Sequence, residues 1–165
     1  FRRVLFRSVF SMFTMKWHYR FMELAKLVAT WSKDTSTKTG AVIVGPDKEI
    51  RATGYNGFVR GVDDDVFERF ERPTKYDFFE HAERNAVYNA CLCGTCVKGC
   101  VLYATHFPCT DCTRAIIQSG IKLVVTNPLV IDKNTPHNTW RDRITYSEQM
   151  LKEAGVELMI LPPQE

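Results

Sequence analysis

A chain of 165 residues, 45% hydrophobic and 25% charged, is long enough for one domain with a buried core, and its composition excludes a disordered or collagen-like polymer. No apolar run nears the roughly 18 residues that span a bilayer, so no membrane association is expected. The net charge of +3 equals the contribution of Arg2, Arg3 and Arg7, which leaves the rest of the chain neutral and without the basic signature of a nucleic-acid binder.

In chain order, residues 1–14 are expected to be a non-native extension. Phe1-Arg2-Arg3-Val4-Leu5-Phe6-Arg7-Ser8 resembles a translated sequencing adapter and reads poorly as a signal peptide. Met15 is the expected start, with a single domain over 15–165. Residues 16–33 are predicted as an amphipathic helix whose core stripe is Trp17, Phe21, Leu24, Val28 and Trp31. A hydroxyl-rich loop, Ser32–Gly40, leads to a strand over 41–45. The turn Pro46–Glu49 joins it to a strand over 50–54 in a hairpin. That strand runs into Gly54-Tyr55-Asn56-Gly57, which reads either as a plain turn or as a carboxamide offered to a ligand. Residues 58–78 are a long polar segment, and its Asp63-Asp64-Asp65 triplet reads as solvated loop rather than cation site.

A helix is predicted over 80–91, a strand over 101–105 and a helix over 110–119, ended by Gly120. A buried strand over 121–126, a polar loop over 127–142, a helix over 144–154 and a strand over 156–161 complete the chain. Strands alternating with helices in this way predict an α/β fold: three layers, α/β/α, around one five-stranded mixed sheet.

Two short stretches carry chemistry. His81-Ala82-Glu83 opens one predicted helix, and Pro108-Cys109-Thr110-Asp111-Cys112 opens another. Cys109 and Cys112 are three apart, so both sulfurs face one side of their helix, and the positive helix end favours thiolates. With His81 they form a three-ligand set for Zn²⁺ that keeps a fourth position for water. Glu83 is near enough to reach that water without ligating the metal, as a proton shuttle in a hydrolytic deamination requires. His-x-Glu followed by Pro-Cys-x-x-Cys is the signature of zinc-dependent nucleobase deaminases. The other four cysteines, Cys91, Cys93, Cys96 and Cys100, lie between the two stretches. They read as reduced thiols rather than a disulfide framework, with Cys91 and Cys100 as small buried side chains and a second metal as the alternative.

The sequence resembles the deoxycytidylate (dCMP) deaminase family of the cytidine deaminase-like superfamily. The similar stretches are Ser32-Lys33-Asp34 with Gly40–Val44, then Gly54-Tyr55-Asn56-Gly57, His81–Ala86, Pro108–Cys112 and Gln118–Lys122, within roughly residues 16–161. The resemblance implies a cytidine deaminase-like fold, zinc at His81, Cys109 and Cys112, and Glu83 as the catalytic proton carrier. It implies nucleotide contacts at Asn56 and, around it and the metal, at Gly54, Ala82 and Pro108. It further implies conversion of dCMP to dUMP in the cytoplasm, a homo-oligomer such as a hexamer, and dCTP and dTTP as effectors. A second zinc, which some members hold through Cys and His in the insertion, has no ligands in residues 58–80. Candidates for the phosphate contact are Lys33, Lys38, Arg84 and Arg114. The competing readings are a deaminase of the same superfamily acting on free cytidine, a base or tRNA adenosine, and a non-catalytic, zinc-stabilised nucleotide-binding protein.

Overall fold

A computed structural model describes residues 13–128 and 140–164. Its five long strands are β1 (Gly40–Val44), β2 (Ile50–Tyr55), β5 (Val101–Ala104), β6 (Leu123–Thr126) and β7 (Glu157–Ile160). They form one sheet in the order β2-β1-β5-β6-β7. β1 runs antiparallel to both β2 and β5, whereas β5, β6 and β7 are parallel, so the sheet is mixed as expected. Helix α1 (Met15–Ala29) covers one face. Helices α3 (Ala82–Leu92), α4 (Thr110–Gln118) and α5 (Trp140–Glu153) cover the other.

Strand alternation sorts the core into two halves. Ala41, Ile43, Leu102 and Ala104 pack with Ala82, Ala86 and Ala90 of α3 and Ile116 of α4. Val42, Val44, Val101 and Tyr103 pack with Phe21, Met22, Ala25 and Val28 of α1. Close approach depends on two glycines. A Cβ on Gly40 would lie 2.1 Å from the Ala25 carbonyl oxygen, and one on Gly54 would lie 2.3 Å from the Ala86 nitrogen. Gly54 thus lets α3 rest directly on β2.

Several elements differ from the sequence expectation. Helix α1 ends at Ala29, so Trp31 is 54% exposed instead of core. The buried stripe includes His18, whose Nδ1 lies 2.9 Å from the hydroxyl of Tyr103, and burial pushes the His18 pKa down. Phe13, within the segment expected to lie outside the domain, is buried against His18 and Phe21. Cys100 is buried as read, but Cys91 is exposed, because the inward positions of α3 are 82, 83, 86 and 90. Most of the predicted 127–142 loop lies outside the described residues.

The polar segment 58–78 has its own small core. Strand β3 (Gly57–Phe58) pairs with β4 (Phe79–Glu80), and helix α2 (Lys75–Phe78) precedes β4. Phe58, Phe70 and Phe79 meet with ring centroids 4.6–5.8 Å apart, and Arg69 stacks over Phe78 at 4.5 Å. Asp64 of the acidic triplet pairs with Lys33 at 2.5 Å.

Candidate functional site

The site lies where α3 and α4 begin, on the face of the sheet they share. His81 is the N-cap of α3 and Cys109 the N-cap of α4, both with extended backbone, and Cys112 sits in the first turn of α4. Nδ1 of His81 lies 3.5 Å from Sγ of Cys109 and 3.4 Å from Sγ of Cys112, and all three donor atoms fall within 4.8 Å of one another. Tetrahedral zinc with Zn–S near 2.3 Å and Zn–N near 2.0–2.1 Å needs sulfur and nitrogen roughly 3.5 Å apart. The donor set therefore fits zinc in chemistry and in spacing, with three protein ligands and one open position. It is the one group of three or more metal-ligating side chains among the described residues, so the Cys91–Cys100 segment gathers no second set.

Glu83 completes the cluster. Its carboxyl is buried, and its Oε2 lies 3.6 Å from Sγ of Cys112. Burial pushes the Glu83 pKa up, which suits a group that must hold a proton between transfers. The hydrogen bond from Cys112 holds the Cys109 thiol down to about 4, with His81 adding to it, while that same sulfur pair pushes Cys112 up. This favours the thiolate form of Cys109, which is the form a metal binds. Both helices direct their N-terminal dipoles at the cluster, which favours its anions.

An ion-pair chain fixes the two helix starts relative to each other. Nε of Arg84 donates to Glu80 at 2.6 Å, Glu80 also accepts from the His81 N–H at 2.9 Å, and Nη1 of Arg84 lies 4.0 Å from Asp111. Asp111 pairs in turn with Arg114. Ala82 and Pro108, both buried, flank the cluster from the two helix entries.

Asn56 has a different environment. Its Oδ1 accepts from the Thr39 N–H at 2.8 Å, and its Nδ2 donates to Asp34 at 3.1 Å and to the Thr37 carbonyl at 2.8 Å. The carboxamide therefore holds the loop between α1 and β1. Asp34 is also bonded to the N–H of Ser36 at 2.8 Å and paired with Lys75 of α2 at 2.5 Å. Both members of that pair are buried. Sequence reasoning missed this network because its partners come from three separate segments. Gly54 sits against α3, where its missing side chain sets the distance between β2 and the helix.

A separate cleft of about 390 Å³ lies on the outer side of α3, between Trp31, Tyr55, Lys33, Arg60 and Asp64. It does not include the metal-ligating group.

A mixed α/β/α sheet with a His-Cys-Cys metal set and a buried glutamate at two helix N-termini defines a metal-dependent hydrolase of the deaminase class. Residues 15–127 match the family model described as the cytidine and deoxycytidylate deaminase zinc-binding region. The chain belongs to this family and is a zinc protein. It is 40% identical over 147 residues to the uncharacterized deaminase in the luxG 3′ region of Aliivibrio fischeri, covering 89% of this chain and 95% of that one. It is 41% identical over 116 residues to human deoxycytidylate deaminase, covering 67% of this chain and 64% of the human protein. The crystal structure of the cyanophage S-TIM5 dCMP deaminase in complex with dCMP and dUMP superposes with a TM-score of 0.71 at 28% identity, covering 90% of this chain and 98% of that one.

Proposed function

We propose that this chain catalyses the zinc-dependent hydrolytic deamination of dCMP to dUMP. The observation that carries the reading is the closed cluster of His81, Cys109 and Cys112 with Glu83 buried beside it. The named relatives, dCMP deaminases at 28–41% identity, give the substrate. His81, Cys109 and Cys112 hold the zinc. In that position the ion supplies the Lewis acidity that makes water nucleophilic at neutral pH. Glu83 takes one proton from the attacking water and passes it to the pyrimidine ring nitrogen, then takes the second proton from the new hydroxyl on the ring carbon and delivers it to the amino group as it leaves. One water enters and one ammonia departs, so the carboxylate is regenerated. Ala82 and Pro108 place backbone groups against the ring, while Gly54 and Asn56 shape the wall facing it.

No described helix is long and apolar enough to cross a membrane. We place the protein in the cytoplasm, where its unpaired cysteines stay reduced. The domain runs from the segment around Phe13 and Met15 to the C-terminal strand. We further propose a homo-oligomer, and dCTP and dTTP as effectors.

The test is ultraviolet absorbance on zinc-loaded protein with dCMP, CMP, deoxycytidine and cytidine in parallel, each with and without dCTP. Turnover of dCMP alone or best is the expected result. Turnover of none of the four, with zinc present and dCTP added, refutes the reading. A rate unmoved by dCTP refutes the effector role alone.

A further inference from the structure

Of the four cations that the sequence offers for a phosphate, three are committed. Lys33 pairs with Asp64, Arg84 with Glu80, and Arg114 with Asp111. Lys38, by contrast, has no ion-pair partner among the described residues and is exposed. Its backbone is nonetheless fixed, because the Asp34–Lys75–Asn56 network bonds Ser36, Thr37 and Thr39 on either side of it.

That loop runs into β1 beside the end of β5. The Thr105 N–H donates to the Gly40 carbonyl at 3.0 Å, and the Gly40 N–H donates to the Thr105 hydroxyl at 3.1 Å. Lys38 and His106 therefore stand on the two sides of one seam. Along the run from Val101 to Cys109, His106 is the one exposed side chain. Its Nδ1 lies 3.0 Å from the Thr105 hydroxyl. That hydroxyl already accepts from Gly40, and its own proton has no other acceptor in the described structure. It therefore donates to Nδ1, which leaves the ring proton on Nε2, the edge away from the seam. Desolvation around the ring also lowers the His106 pKa, in keeping with this neutral tautomer.

We propose that Lys38 and His106 bind the 5′-phosphate of the nucleotide, the ammonium supplying charge and Nε2–H a fixed donor. The inference rests on the deaminase reading. The reacting ring carbon must sit at the cluster of His81, Cys109 and Cys112, so the phosphate lies at the far end of the substrate, toward solvent. His106 precedes Cys109 by three residues, so its backbone lies at most about 10 Å from that ligand, within reach of a nucleotide whose ring sits at the cluster.

The experiment is isothermal titration of the zinc-loaded full chain with dUMP and with deoxyuridine, for wild type, Lys38→Met, His106→Ala and His106→Gln. Zinc content is measured on each. A charge-assisted hydrogen bond lost from either residue should weaken dUMP binding by about ten- to a hundredfold. Deoxyuridine binding should be unchanged, and His106→Gln, which keeps a donor, should recover part of the loss. Equal weakening of both ligands, no weakening of either, or wild type binding dUMP no tighter than deoxyuridine overturns the proposal. Absent dCMP turnover with intact phosphate-dependent binding would overturn the deaminase reading instead.

Discussion

Lys75→Met probes how the insertion is tied to the site. In the folded protein Lys75 is 8% exposed, and its ammonium lies 2.5 Å from Asp34 and 2.9 Å from the Ser36 hydroxyl. Methionine keeps the length of the stem and removes the charge. Breaking a buried pair by removing one partner costs about 3–5 kcal/mol. Asp34 retains bonds from the Ser36 N–H, the Ser36 hydroxyl and Asn56, so the lower end applies, about 3 kcal/mol, or roughly 6–12 °C in Tm for a chain of this size. The loss should depend on pH. Burial pushes the Asp34 carboxyl up, but Lys75 and the Ser36 bonds outweigh it and hold the group below its ordinary value. Its contribution in wild type is therefore present above the unfolded carboxylate pKa and is lost as pH falls through the lower folded value. In the variant the Lys75 bond no longer offsets burial, so Asp34 takes up its proton at a higher pH than in wild type, and protonation relieves the stranded charge. Urea unfolding of both zinc-loaded proteins, at about pH 7 and about pH 4.5, should show the gap narrowing toward acid. Protonation of the metal ligands is common to both proteins and cancels in the difference. Variant and wild type within about 0.5 kcal/mol at neutral pH, or a gap that does not change with pH, would refute the assignment.

Glu83→Gln should keep zinc and fold while dCMP turnover falls by about 10²–10⁴-fold, the usual worth of a positioned acid–base group; near-wild-type turnover removes Glu83 from the mechanism. Cys109→Ser should lose zinc by elemental analysis, and full occupancy in that variant defeats the ligand assignment. Phe13→Ala should lower stability by about 3 kcal/mol in urea unfolding, since the ring packs on His18 and Phe21; deletion of residues 1–12 should leave stability unchanged. A silent Phe13→Ala would return that residue to the dispensable segment.

The order of strands and helices was legible because each follows a local period, and the metal cluster because its residues come in two short runs. What escaped depends on distance in sequence. His18 lies in an apolar stripe, and nothing near it announces that Tyr103, 85 residues on, supplies its partner. Asn56 between two glycines reads as an open carboxamide until the loop at Thr37–Thr39 closes over it. Lys75 looks like one more surface charge in a polar insertion, yet it is buried on Asp34. Trp31 fits the helical period, but the helix stops at Ala29 and the ring turns to the outer cleft. The four phenylalanines at 58, 70, 78 and 79 were the available sign that residues 58–80 pack on themselves, since a solvated loop has no use for them.

The two halves of the metal cluster belong to different helices, so spacing along the chain cannot by itself bring them together. Their meeting depends on the sheet. Gly54 seats α3 on β2, β5 delivers Cys109 at its end, and Arg84 reaches from Glu80 toward Asp111 across the gap between the helix starts. Each of these acts on the relative position of His81 and the two sulfurs, and none of them touches the metal ligands' donor atoms. A change at Gly54 or Arg84 should therefore weaken zinc binding while leaving all three ligands in place. That is a different failure from Cys109→Ser, in which a ligand is missing, and the two separate in a zinc titration: Arg84→Met should reach full occupancy at higher zinc, whereas Cys109→Ser should not reach it. Equal zinc affinity for Arg84→Met and wild type would mean that the sheet and helix packing alone hold the cluster, with the ion-pair chain adding nothing.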